Sequence, residues 1–166
     1  MFSKVLVVDP EKCNGCRICE VICSFLKEKE CNPVKSRIRV IKIESLGIDI
    51  PMVCHHCEKP LCRDVCPVDA ITRDVDTGAI LLNEEVCIVC RACIQACPHG
   101  ALSINGEKGT IFVCDLCKGD PQCVKWCEPG AIQYVNVNRV DLIKRRSAAE
   151  KIVKSLLEAR ERIIVG

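Results

Sequence analysis

The chain has 166 residues, room for one domain or for two small lobes around a shared core. Its 24 Lys and Arg nearly balance 22 Asp and Glu, so the formal charge of +2 excludes a strongly basic nucleic-acid binder. Seventeen cysteines against one Trp, one Tyr and three Phe exclude an aromatic core and make thiols the framework, as disulfides or as metal ligands.

The N-terminus, MFSKVLVVDPEKC, has an apolar run of only four residues, Val5 to Val8. That is too short for the hydrophobic stretch of a signal peptide, and no other stretch approaches a membrane span. A twin-arginine leader is also absent. The expectation is a cytoplasmic protein in a reducing compartment, where disulfides do not persist.

The first cysteine group follows at once: Cys13, Cys16, Cys19 and Cys23, spaced C-x2-C-x2-C-x3-C. Thiols at i, i+3 and i+6 turn around a compact object, and each can meet a separate iron of a cubane. The fourth starts a helix and points toward a neighbouring cluster. Asn14 and Gly15 suit such a cradle, because both tolerate positive φ and let backbone N–H groups face sulfides. Ser24 stands where proline or Glu-Pro follows the later groups, and Glu20 to Lys29 read as a helix. Cys31 belongs to no group and reads as a small buried apolar residue, with a reactive thiol as the alternative. Residues 36–45, SRIRVIKIES, alternate and then slip phase at Val40-Ile41, which predicts a strand with a bulge.

Cys54, Cys57, Cys62 and Cys66 form the second group, with a middle gap of four. His55 and His56 inside CHHC read as donors or surface residues beside a complete thiol set, not as ligands. CPVDAI (66–71) leads into a hairpin, Ile71–Val75 with Ala79–Leu82, about Thr77-Gly78. Cys87, Cys90, Cys93 and Cys97 return to the first spacing, with Arg91 in the place of Arg17. Both arginines read as surface positions, able to raise a cluster potential or to dock a partner. CPHGAL (97–102) enters a second hairpin, Ala101–Ile104 with Thr110–Val113, through Asn105-Gly106 and Gly109. His99 there reads as a surface or hydrogen-bonding residue. Cys114, Cys117, Cys123 and Cys127 complete the series with a middle gap of five, and CEPGAI (127–132) follows. Trp126 reads as a shield against water.

Sixteen of the cysteines are thus placed. Structural zinc sites pair two C-x2-C knuckles across a longer loop, so the spacing favours [4Fe–4S] clusters over zinc, and the reducing compartment disfavours disulfides. Residues 1–138 resemble the four-cluster ferredoxin-like subunits of molybdenum and tungsten oxidoreductases, the DMSO reductase iron–sulfur subunit type, and of related CO dehydrogenase and hydrogenase systems. The small subunit of a tungsten aldehyde oxidoreductase is the narrowest likeness. The resemblance implies an α+β fold of two nested bacterial-ferredoxin-like lobes. Motifs one and four make one lobe (about 1–53 plus 108–138), and motifs two and three the other (about 54–107). It also implies four crossed ligand sets. These are Cys13, Cys16, Cys19 with Cys127; Cys54, Cys57, Cys62 with Cys97; Cys87, Cys90, Cys93 with Cys66; and Cys114, Cys117, Cys123 with Cys23.

The remaining 28 residues, 139–166, predict an amphipathic helix. Leu142, Ala149, Ile152, Val153, Leu156, Ile163 and Ile164 recur at helical spacing, and Asn138 or Asp141 can cap it. With eight Lys and Arg and four Asp and Glu, this tail carries +4. The rest carries −2, falling to about −10 once sixteen thiolates and four +2 cores are counted. The apolar side can cover the chain's own body, a partner, or a second copy through self-association. A membrane surface fits least, because four acids interrupt the basic face.

There is no G-x-G-x-x-G, no Walker loop and no proton-transfer constellation. The expected function is a non-catalytic relay of single electrons, in an anaerobic setting. One end serves a large catalytic oxidoreductase subunit, by resemblance tungsten- or molybdenum-dependent and narrowly an aldehyde oxidoreductase. The other end serves a flavin- or NAD-linked subunit or a ferredoxin. CO dehydrogenase, hydrogenase and formate dehydrogenase stay open as partners. A free, diffusible polyferredoxin and a zinc-binding interaction module are the alternatives from other classes.

Overall fold

The structure is a computed structural model that describes residues 4–137 together with Val140, Ala149 and Val153. The helix expected over 139–166, and its cap at Asn138 or Asp141, lies outside the described residues except at those three positions.

Strand β1 (Lys4–Val8) turns Leu6 inward and pairs antiparallel with β8 (Ile132–Asn136), from Lys4↔Asn136 to Val8↔Ile132. The two ends of the cysteine-bearing segment are therefore stitched together. Helix α1 (Ile18–Glu28) buries Cys19, Glu20 and Ser24, and ends at Lys29 in the left-handed region with its N–H on the Phe25 carbonyl. Serine at position 24 lets this helix continue where proline would break it. Its fully buried hydroxyl donates to the Val21 carbonyl at 3.0 Å and accepts from the Asn32 N–H at 3.2 Å.

β2 (Arg39–Ile43) pairs with β3 (Ile48–Met52) one residue to one, from Arg39↔Met52 to Ile43↔Ile48. The bulge expected at Val40-Ile41 is not there. Period two holds, with Val40 buried and Ile41 and Ile43 on the exposed face. The apparent slip in the sequence comes from apolar residues that point outward.

Both expected hairpins form. β4 (Ile71–Arg73) pairs with β5 (Ile80–Leu82), and β6 (Ser103–Ile104) with β7 (Ile111–Phe112). Each turn is held by a side chain that mimics the backbone. Asp74 Oδ1 accepts the N–H groups of Asp76 and Thr77, and Asn105 Oδ1 accepts those of Glu107 and Lys108. The described residues also form three one-turn α-helices, α2 (Leu61–Asp64), α3 (Ala92–Ala96) and α4 (Gln122–Lys125). α1 packs on α4, and α2 packs on α3.

Two buried clusters result. One gathers Leu6, Cys19, Ile38, Val40, Val53, Ala79, Leu116, Cys123 and Ile132; the other gathers Cys54, Cys62, Ile71, Ile80, Cys93, Leu102 and Ile111. Thiols belong to both, as the thin aliphatic composition requires. Cys31 is exposed, which corrects the expectation of a buried apolar residue. It follows the end of α1, where the chain turns outward before Asn32. Among the described residues, no helix is long and apolar enough to cross a membrane.

Candidate metal centres

All four cysteine groups share one backbone device. The residue just before the second cysteine is left-handed every time: Gly15 (φ 66), His56 (φ 48), Val89 (φ 54) and Leu116 (φ 55). Arg17 and Arg91, in matching places, are left-handed as well. Consecutive amides in such a turn face inward and make a nest for anionic atoms. Glycine adopts this conformation freely, whereas a β-branched valine does so only under constraint. Asn14 contributes differently from the expectation. Its φ is not positive, and its Oδ1 instead accepts the Cys16 N–H at 3.2 Å.

The third cysteine of every group then occupies the second position of a helix: Cys19 on α1, Cys62 on α2, Cys93 on α3 and Cys123 on α4. All four are buried. After the fourth cysteine, the chain turns again through a left-handed Asp69, Gly100 or Gly130. This turn aims the Ala70 N–H at Cys66 Sγ (3.3 Å) and the Ala101 N–H at Cys97 Sγ (3.5 Å). In the first group the helix runs on, and Arg37 supplies the N–H to Cys23 Sγ at 3.4 Å instead.

Two cavities bring cysteines from different groups together. The lining of one includes Cys54, Cys57, Cys62 and Cys97. The lining of the other includes Cys114, Cys117, Cys123 and Cys23. Burial, then the neighbouring thiols Cys62, Cys57 and Cys97, push Cys54 up to about 12. Burial and the thiols of Cys23 and Cys117 push Cys123 to about 12 as well. Burial raises Cys19 to about 12, with contributions from Glu20, Cys16 and Cys127. Cys93 is raised by burial and by Cys87 and Cys90. Ringed thiols that resist ionisation in each other's company fit a positively charged core, which reverses that preference.

The thiols stand around cavities, as a polynuclear core would need.

Cys16 and Cys90 are the two exposed cysteines of the sixteen, each the second of its group. His55 is exposed and its ring lies 4.3 Å from that of His99. His56 turns inward, and its Nδ1 accepts the Ile80 N–H at 3.0 Å. Burial and Arg73 lower its ring to about 4. Trp126 is 57% exposed, so it is not the water shield expected of it. Glu20, which sequence reasoning passed over, is buried beside Cys19 and accepts the Val40 N–H at 2.6 Å.

Amide nests, helix-borne buried thiols and thiol-lined cavities define an iron–sulfur protein of the ferredoxin class. A 4Fe-4S dicluster domain matches residues 48–137, and a 4Fe-4S binding domain matches residues 5–26. The polyferredoxin-like subunit of aliphatic sulfonate oxidoreductase from Pyrococcus furiosus is 44% identical over 122 residues, covering 74% of this chain and 70% of that protein. Electron transport protein HydN from Escherichia coli is 32% identical over 174 residues, covering 89% and 98%. Among solved structures, a chain of the active site complex BamBC of benzoyl coenzyme A reductase aligns at 32% identity with a TM-score of 0.48, covering 80% of this chain and 75% of that one. The chain belongs to the 4Fe-4S dicluster domain family. It is an electron-transfer iron–sulfur protein carrying [4Fe–4S] clusters.

Proposed function

We propose that the chain is the relay subunit of an oxidoreductase complex, with four [4Fe–4S] clusters in two nested lobes. The observation that carries this reading is the cavity lined by three thiols of the second group and the last thiol of the third. Crossed ligation of that kind is what two-cluster ferredoxins use. The sets are Cys13, Cys16, Cys19 with Cys127; Cys114, Cys117, Cys123 with Cys23; Cys54, Cys57, Cys62 with Cys97; and Cys87, Cys90, Cys93 with Cys66. The second cavity supports the second set, and the packing of Cys13 and Cys127 against the core that holds Cys19 supports the first.

Packing supports an order for the relay. Cys19 and Cys123 share one core, and Cys114 packs both on that core and on the one that holds Cys54. The sets of Cys114 and Cys54 are therefore central, and those of Cys16 and Cys90 are terminal. Exposure agrees, because neither central set has an exposed cysteine. When bound, such clusters store and pass single electrons. The chain's own residues orient the thiols, donate N–H groups to sulfur and keep water from the central pair.

Each terminal cysteine stands in an apolar rim suited to a protein partner. Ile18 and Val21 follow Cys16, and Val86 and Ile88 precede Cys90, all exposed. One rim serves a large catalytic subunit, for which the likeness of the sequence favours a tungsten or molybdenum enzyme. The other serves a flavin-linked subunit or a ferredoxin, in a reducing cytoplasm. The +4 tail is a further candidate contact, to the catalytic subunit or to a second copy. Purification of the tagged chain from its own cells without oxygen tests the assignment. A large tungsten or molybdenum protein in stable ratio supports it; the chain alone, fully loaded with iron, makes it a diffusible polyferredoxin.

A further inference from the structure

His55 and His56 lie side by side between Cys54 and Cys57, yet the fold treats them differently. His56 is held in a left-handed conformation that a residue with a side chain adopts only under constraint. Arg73 fixes the loop, donating to the carbonyls of His56 (3.3 Å), Cys57 and Gly78 (3.0 Å). Ile80, on β5, donates its N–H to Nδ1 of His56. That lone pair is therefore occupied, the imidazole is neutral, and its proton sits on Nε2.

Nε2 is buried and has no hydrogen-bond partner among the described residues. Buried donors are nearly always satisfied, so this one calls for an acceptor. The ring lies against the second core, to which both Ile80 and Cys54 belong. Its Nδ1 is 3.8 Å from Cys54 Sγ, a thiol of the proposed second ligand set. An iron–sulfur core on Cys54 would bring such an acceptor beside the ring.

We infer that His56 Nε2–H donates to a sulfur of the cluster held by Cys54, Cys57, Cys62 and Cys97 and raises the potential of that cluster. A donor aimed at sulfur stabilises the extra negative charge of the reduced core, so it raises the reduction potential. This rests on the four-cluster reading.

Two variants separate the donor from the space it fills. In His56→Asn, Oδ1 stands where Nδ1 stood and still accepts from Ile80, and asparagine tolerates the left-handed backbone. The side chain ends before the position of Nε2. In His56→Gln, the amide nitrogen reaches that position. Iron is counted first, in the full chain purified without oxygen; a deficit in the wild type sinks the four-cluster reading, not this one. With iron equal in all three proteins, a titration followed by electron paramagnetic resonance decides. The expected result is one potential lowered in H56N by ~59 mV, a tenfold fall in that one-electron constant, and restored in H56Q. Pulsed double resonance should show a strongly coupled exchangeable proton in wild type and H56Q that H56N lacks. Potentials unmoved in H56N, or moved equally in both variants, overturn the inference and leave the donor to water. Should H56N lose iron, the wild-type spectrum in H2O and D2O decides alone: no such proton, no such bond.

Discussion

Lys108, on the turn between β6 and β7, donates to Glu28 at the end of α1 at 2.6 Å, across 80 residues of sequence. The other carboxylate oxygen of Glu28 takes Arg37 at 2.6 Å, and Arg37 lies 4.1 Å over the ring of Phe112. Lys35 binds Glu30 (2.8 Å) and Glu107 (2.6 Å) on the same turn. This clasp ties the first core to the second near the central cavities. Fixed separation matters to a relay, and a charged clasp specifies one register where apolar contact alone tolerates several.

Glu28→Ala should therefore destabilise the protein by about 3 kcal/mol, because Arg37 loses the partner of a nearly buried pair. Denaturant unfolding without oxygen measures it. Iron content should be unchanged, since no thiol is touched; equal stability would remove the clasp from the account.

The same carboxylate fixes a pH dependence. Burial pushes Glu28 up, but hydrogen bonds from Lys108 and Arg37 outweigh it, and its carboxyl lies below the usual value. Its contribution is thus fully present above the ordinary glutamate range, about 4.3, and is lost as pH falls through the depressed folded value. Acid-jump unfolding, faster than cluster loss, should show wild type and E28A separated at pH 7 and converging below that range.

Gly15→Ala should cost about 1–2 kcal/mol for the left-handed backbone, and its new methyl would collide with the Asp49 carboxylate. Adding Asp49→Ala should relieve the collision and not the backbone strain. Unfolding of the two variants separates the terms; full recovery in the double variant would mean the strain is absent.

Cys31 should be the thiol that reacts. It is exposed and stands outside every proposed ligand set, so the loaded protein should take up about one alkyl group under mild conditions. Cys31→Ser should abolish that uptake with iron unchanged. A fall in iron would make Cys31 a ligand.

What the sequence made legible was what spacing alone encodes. The cysteine groups, the two hairpins about Thr77-Gly78 and Asn105-Gly106, and the start of α1 to within two residues are all local features. Left-handed Val89 and Leu116 were not legible, because local propensity argues against them and only the cradle as a whole imposes them. The N–H of Arg37 on Cys23 has no signal at all, since any residue's backbone could serve. Ile41 misled through its side: an apolar residue on an exposed face breaks the pattern that normally marks a core. His56 read as bland for the opposite reason. Its sequence neighbour His55 is exposed, and nothing in HH tells which ring turns inward.

The central claim is a four-cluster relay in one short chain, and reductive titration of the isolated protein under argon tests it most directly, with iron, zinc and sulfide measured on the same sample. The account predicts about sixteen irons and sixteen sulfides per chain, no stoichiometric zinc, and four one-electron steps, one per cluster. About eight irons with two steps, or zinc as the dominant metal, would contradict it.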